Sequence, residues 1–165
     1  MRSIILIAHN LRSYHNVGSL LRTAEGLGTR QVYLTGYTPY PRVKHDTRLP
    51  HLIDRAQRQI HKTALGAEEM LSVIHTIHLT ELITRLKKKG YYICALEQSA
   101  YAVPLDTYKP PSLIALIIGR EIGGIESDIL NKVDRILEIP MRGQKESFNV
   151  TEAASMALYY LTHIA

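Results

Sequence analysis

What most constrains this chain is a series of short, almost wholly apolar runs separated by segments of helical periodicity. Leu113-Ile-Ala-Leu-Ile-Ile118 carries no polar residue, and Ser3 to Ala8 is apolar after its first position. A strand wetted on one face alternates apolar with polar, so a continuous run marks a strand buried on both faces. Gln31 to Thr35, Ser72 to Ile77, Tyr91 to Leu96 and Arg135 to Ile139 complete the set of predicted strands. Between them, helices are predicted at Asn16 to Leu27, with Val17, Leu20, Leu21, Ala24 and Leu27 in one stripe and Gly28 closing it, and at Glu81 to Lys89. The alternation gives an α/β fold: a mostly parallel sheet with helices on both faces, in one domain spanning 1–165. Such a sheet places ligands beyond the carboxyl ends of its strands, where Leu96-Glu97, Gly119 and the loop after Ile139 converge.

The last of these loops runs from Ile139 to Thr151 and is too polar and irregular to be core. Pro140 ends the strand because it has no N–H to give a partner, and Gly143 permits a turn. Asn149 reads as the N-cap of a C-terminal helix, with Glu152 as the second half of a capping box and Ala153, Ala157, Tyr160, Leu161 and Ile164 at helical spacing. Asn16 likewise reads as an N-cap and Arg22, six residues on, as a surface arginine beside the apolar stripe. Gly119, Gly123 and Gly124 follow a strand, either as a close approach to a ligand or as a plain turn into a helix. Their spacing is neither the dinucleotide G-x-G-x-x-G nor a phosphate loop, and His9-Asn10-Leu11-Arg12 stands where an NAD-dependent dehydrogenase would carry its glycines.

The formal charge of +5 suits a polyanionic partner and is concentrated. Residues 36–62, which hold three of the seven prolines and little periodicity, carry Arg42, Lys44, Arg48, Arg55, Arg58 and Lys62 against only Asp46 and Asp54. The stretch is expected to be a basic loop in which Tyr37 and Tyr40 could stack unpaired bases while the cations hold phosphate. Eight histidines raise a metal site, but His45, His51 and His61 lack ligand spacing and His75 and His78 would point to opposite faces of a strand, so none is expected. The single cysteine, Cys94, cannot form an internal disulfide, and no signal peptide or membrane span is evident, so a cytoplasmic protein is expected.

Taken together, Asn16-Val-Gly-Ser-Leu-Leu-Arg22, Ile117-Ile-Gly-Arg-Glu-Ile-Gly-Gly-Ile125 and Ile139 to Thr151 resemble, in order and spacing, the three motifs of the SpoU (TrmH) branch of the SPOUT RNA methyltransferases. The resemblance covers nearly the whole chain. It implies a C-terminal trefoil knot and a homodimer. It also implies S-adenosylmethionine bound by Leu96, Glu97, Gly119, Glu121, Gly123, Ile139, Met141, Ser147, Phe148 and Asn149. The methyl acceptor would be a ribose 2′-hydroxyl of structured RNA, tRNA favoured and rRNA possible. Arg22, Asn16, Glu121, Ser147 and Asn149 take the catalytic positions, and Arg12, Arg42, Lys44, Arg48 and Arg55 are expected to contact RNA. Arg120 stands where relatives more often have a small or amide residue, and Phe148 replaces their usual Leu. Larger relatives carry terminal extensions, so here the 36–62 stretch and the dimer partner are expected to supply the RNA contacts. A non-catalytic RNA-binding protein on the same fold is the rival, and it would not need Arg22, Glu121 and Asn149, all of which are present.

Overall fold

The computed structural model describes residues 2–164. Strands β1 (Ser3–His9), β2 (Gln31–Thr35), β3 (Ser72–Thr76), β4 (Tyr92–Leu96), β5 (Val103–Pro104), β6 (Leu113–Ile118) and β7 (Arg135–Glu138) form one sheet in the order β3-β2-β1-β6-β4-β7-β5. Every pairing is parallel. Around it lie α1 (Tyr14–Gly26), α2 (Pro50–Ala64), α3 (Ala67–Met70), α4 (Leu79–Lys88), α5 (Ser127–Leu130) and α6 (Val150–Tyr159), the last continued by a π-helical turn, Tyr160–Ile164.

Side chains alternate across the sheet, so β1 feeds two cores. Ile4, Leu6 and Ala8 join Val17, Leu20 and Leu21 of α1, Ile60 and Ala64 of α2, and Ala154, Ala157, Leu158 and Leu161 at the C-terminal end. Ile5 and Ile7 join Leu79, Leu82, Ile83 and Leu86 of α4 and Ile129 of α5 on the other face. Both faces of the central strands are therefore dry, as their continuous apolar runs predict.

Several expectations need correcting. The 36–62 stretch is not a loop throughout: from Pro50 it is α2, a 15-residue helix that buries Ile53, Ala56, Ile60 and Ala64. Proline at the first helical position suits the start, and Leu65 and Gly66, both in the left-handed region, end it. The N-cap of α1 is Ser13, not Asn16; the Ser13 hydroxyl accepts from the Asn16 N–H at 3.2 Å. Asn149 does cap α6, but its Oδ1 accepts from the Thr151 N–H at 2.9 Å, and among the described residues Glu152 closes no capping box. The α6 stripe is Ala154, Ala157 and Leu158, continued by Leu161 of the π-helical turn, so Ala153 is half-buried and Ile164 is exposed. His78 precedes α4 and does not lie on β3. The edge strand β5 had no signal in its two residues.

Neighbouring positions of β6, β4 and β7 place three loops side by side at the carboxyl edge, and these build the site.

Candidate active site

The loop after β6 doubles back on itself so tightly that glycine is required. A Cβ on Gly119 would lie 2.6 Å from Ile125 Cγ1 and 2.7 Å from the Gly124 carbonyl carbon, closer than side-chain contacts allow. Gly124 has φ +59, and a Cβ there would run into the Glu97 carboxylate. That carboxylate pins the turn to the end of β4: Oε2 accepts from the Ile125 N–H at 2.8 Å and Oε1 from the Gln98 N–H at 3.0 Å. Gln98 in turn donates through Nε2 to the Glu146 carbonyl at 2.7 Å, tying the β4 loop to the one after β7.

The three loops enclose an open cavity of about 550 Å³, within the range of small-molecule sites. Its lining includes the apolar Ile118 and Ile139 and four glutamates, Glu97, Glu121, Glu138 and Glu146. Arg120 is the one cationic side chain among the described residues that line it. At the mouth, Asn16 Nδ2 donates to Glu121 Oε1 at 2.7 Å, joining α1 to the glycine turn across 105 positions of sequence. Phe148 lines both this cavity and a shallow groove between α1 and α6 that Ser19, Thr23, Ser155 and Met156 bound. Arg22 lies on α1 next to Thr23 and is exposed.

A second, more buried arrangement adjoins the cavity. His9, the last residue of β1, places Nδ1 2.8 Å from Thr35 Oγ1, while that hydroxyl donates to the Ala8 carbonyl. Nε2 accepts from the Asn10 amide at 3.0 Å and lies 3.4 Å from Glu126 Oε2, which in the neutral ring leaves Nδ1 as the N–H facing Thr35. Asn10, at φ +58, holds its own orientation by accepting the Tyr37 N–H on Oδ1, and its Nδ2 also donates to Glu126 Oε1 at 3.2 Å. Burial pulls the His9 imidazole below its ordinary pKa, against the opposing Glu126 charge, in keeping with a neutral ring. Burial would raise the Glu126 carboxyl, but hydrogen bonds from its own N–H and the Asn10 amide, with the nearby Arg120 charge, hold it below the usual range.

Residues 3–159 match the model of the SpoU rRNA Methylase family. The chain belongs to that family. A 23S rRNA (guanosine-2′-O-)-methyltransferase of Coxiella burnetii is 30% identical over 164 residues, covering 95% of this chain and 57% of that protein. The chain thus spans little more than half the length of the curated relatives it matches. A crystal structure of an S-adenosylmethionine-bound rRNA methyltransferase from Sinorhizobium meliloti superposes with a TM-score of 0.79 at 19% identity, over 99% of this chain and 57% of that one. The A. aeolicus TrmH/SpoU tRNA modifying enzyme gives 0.80 at 20% identity, over 98% and 75%. At such identities the likeness establishes the SpoU methyltransferase fold.

On this SpoU fold, the cavity gathers Leu96, Glu97, Gly119, Glu121, Gly123, Ile139, Ser147, Phe148 and Asn149, while Met141, Asn16 and Arg22 lie outside its lining. Arg48, expected as a phosphate contact, is instead a staple. It grips the nearly buried Asp46 at 2.9 and 2.6 Å and donates to the carbonyls of Tyr40 and Pro41, both at 3.0 Å. It also lies 3.5 Å over the Tyr40 ring, whose other face stacks on His75 at 3.8 Å. Both faces of Tyr40 are taken, which removes it as a base-stacking platform. Arg42 pairs with Asp54 at 2.6 Å on the surface. Among the described residues Lys44, Arg55, Arg58 and Lys62 have no ion-pair partner, and Arg12 is exposed. Sequence reasoning missed Gln98, Glu126 and Asn10 as organisers of the site. The one signal was a polar pair, His9-Asn10, directly after an apolar strand.

No three His, Cys, Asp or Glu side chains among the described residues converge as a metal set, and no helix is long and apolar enough to cross a membrane.

Proposed function

We propose that this chain moves the methyl group of S-adenosylmethionine to a ribose 2′-hydroxyl of structured RNA, tRNA favoured. The observation that carries the reading is the Asn16–Glu121 contact, which brings the first and second motifs together at the mouth of the cavity that Ser147 and Asn149 of the third also line. The cavity suits the donor: its size is right, its glycine walls let backbone approach closely, and its carboxylates suit a sulfonium cation. The relatives' names point to two RNAs. Besides the Coxiella rRNA enzyme, a solved structure titled for 2-OH methylation of C/U34 on tRNA matches 97% of this chain and 94% of that one, with a TM-score of 0.72 at 21% identity. tRNA stays first because that match covers nearly all of both chains.

In this reading the segment from β7 into α6 is threaded as a trefoil knot. In support, β7 lies between β4 and β5, and Gln98 bonds across it to Glu146. A homodimer forms through α1 and α6, and the protein is cytoplasmic, where a single buried thiol stays reduced. Leu96, Glu97, Gly119, Glu121, Gly123, Ile139, Met141, Ser147, Phe148 and Asn149 would hold the donor, which supplies a methyl group on a positively charged sulfur. Arg12, Arg42, Lys44 and Arg55 would meet RNA phosphate, joined by Arg58 and Lys62.

A ribose hydroxyl is a weak nucleophile at neutral pH, so a protein group must take its proton or stabilise the oxygen as negative charge builds on it, a role worth roughly 10²–10⁴ in rate. A guanidinium does not deprotonate in proteins. Arg22 is therefore assigned as a fixed donor to the developing oxyanion, and Asn16 and Glu121 hold its helix against the donor loop. Arg22→Ala is expected to bind S-adenosylmethionine normally and to lose turnover by roughly 10²–10⁴. Arg22→Lys is expected to be no rescue, because an ammonium lacks the planar fork. Single-turnover kinetics at saturating RNA and donor decide it: a near wild-type rate in Arg22→Ala removes the residue from the mechanism and favours the RNA-binding rival.

A further inference from the structure

Arg120, the cationic side chain that lines the cavity, has specific surroundings. Its Nη1 reaches Glu126 Oε1 at 3.5 Å, a distant pairing, while its Nε is buried without a hydrogen-bond partner. The guanidinium lies over Gly123, where an added Cβ would come within 3.1 Å of Nε and 3.4 Å of Nη2. Glu126, which anchors it, is itself fixed by Asn10, whose amide is oriented by the Tyr37 N–H and by His9. Nε itself is covered, but the Arg120 side chain is 33% exposed and lines the cavity, and Glu126 and the backbone of Gly123 hold it there.

The charge pattern indicates what meets it. Four glutamates and one arginine line the cavity, which is the lining expected around a ligand with separated positive centres and one anionic group. Arginine is the side chain best matched to a planar oxyanion, since its fork donates two parallel hydrogen bonds.

We infer that Arg120 is an oxyanion-binding residue of this site, positioned by Glu126 and Asn10, that receives a carboxylate or phosphate group of a bound substrate. The inference rests on the methyltransferase reading. Two sources share this chemistry: the carboxylate on the methionine part of the donor and a phosphodiester of the RNA. In both cases the hydrogen bonds add to binding, and Arg120 needs no part in the methyl transfer itself.

The test is calorimetric and needs no turnover. Wild-type protein, Arg120→Gln and Arg120→Lys are titrated with S-adenosylmethionine, with its decarboxylated analogue and with bulk tRNA over a salt series. Failure of the wild type to bind S-adenosylmethionine would sink the methyltransferase reading as a whole. If the donor carboxylate is the ligand, Arg120→Gln binds S-adenosylmethionine about ten- to a hundredfold more weakly, and the decarboxylated analogue binds wild type and variant alike. If a phosphodiester is the ligand, donor affinity is unchanged, tRNA affinity falls, and the slope of log affinity against log salt drops by roughly 0.7–0.9, one phosphate's worth. Arg120→Lys retains the pairing with Glu126 and loses the fork, so it should lose affinity with the same ligand even if Arg120→Gln folds poorly. Donor and tRNA affinities within about twofold of wild type in the folded variants would overturn the inference and leave Arg120 as a partner of Glu126 alone.

Discussion

Single groups behind the site set its response to acid. His9 is 8% exposed, and its Nε2 accepts from the Asn10 amide, which suits a neutral ring. Its imidazole titrates below the ordinary value, as does that of His75, which burial depresses despite its Nε2 hydrogen bond to the Gly36 carbonyl. Where the native pKa is lowered, the unfolded chain binds more protons in the interval between the two values. Stability therefore rises with pH across that interval and is lost on acidification below about 6.5. Unfolding in urea at about pH 7 and about pH 5 should show this loss, and His9→Gln should reduce it. An identical loss in wild type and variant would clear His9 of any part in it. Cys94 behaves oppositely: burial pushes its thiol up to about 11, so it is an inert core group and no nucleophile.

Helix packing shows where the sequence was legible and where it was not. β6 was predicted at its exact bounds because a strand dry on both faces has no polar residue to blur them. The loop after β6 was legible because Gly119 and Gly124 stand where no Cβ fits. The second helix was hidden: two of its four buried residues are alanines, no side chain caps its start, and Arg55, Arg58 and Lys62 dominate its composition. The network around Glu126 was beyond reach, because Asn10 and Glu126 are 116 positions apart and only the fold joins them. The crossing of α1 and α2 depends on Gly18, where a Cβ would strike the Ile60 carbonyl and the Thr63 hydroxyl and lie 3.0 Å from the Ala64 nitrogen. Two of those atoms are backbone and cannot rotate away. Gly18→Ala should therefore cost about 1–3 kcal/mol although alanine favours helix, read as a lower urea midpoint at unchanged slope. A more stable variant would show that the helices can separate without penalty.

At the scale of the whole molecule, Phe148, Met156, Tyr159 and Ile164 expose large apolar surface on or beside α6. A homodimer covering that face is the expected state, and sedimentation of a fully active monomer at micromolar concentration would refute it. The unpaired cations on and before α2 are expected to set RNA affinity. Replacing Lys44, Arg55, Arg58 and Lys62 together should flatten the salt dependence of tRNA binding while sparing donor binding, and an unchanged slope would mean those charges serve only solvation. The pairing of Ile4 with Ile114 puts 110 positions of chain between the two central strands. During synthesis at about 5–20 residues per second, β1 would wait roughly 5–20 s for its inner neighbour. Throughout that interval β1 can pair only with β2, leaving an open edge flanked by Ile5 and Ile7. A nascent protein built this way is most exposed to strand-to-strand misassociation on the ribosome, before β6 has emerged, and a holding chaperone would matter most then.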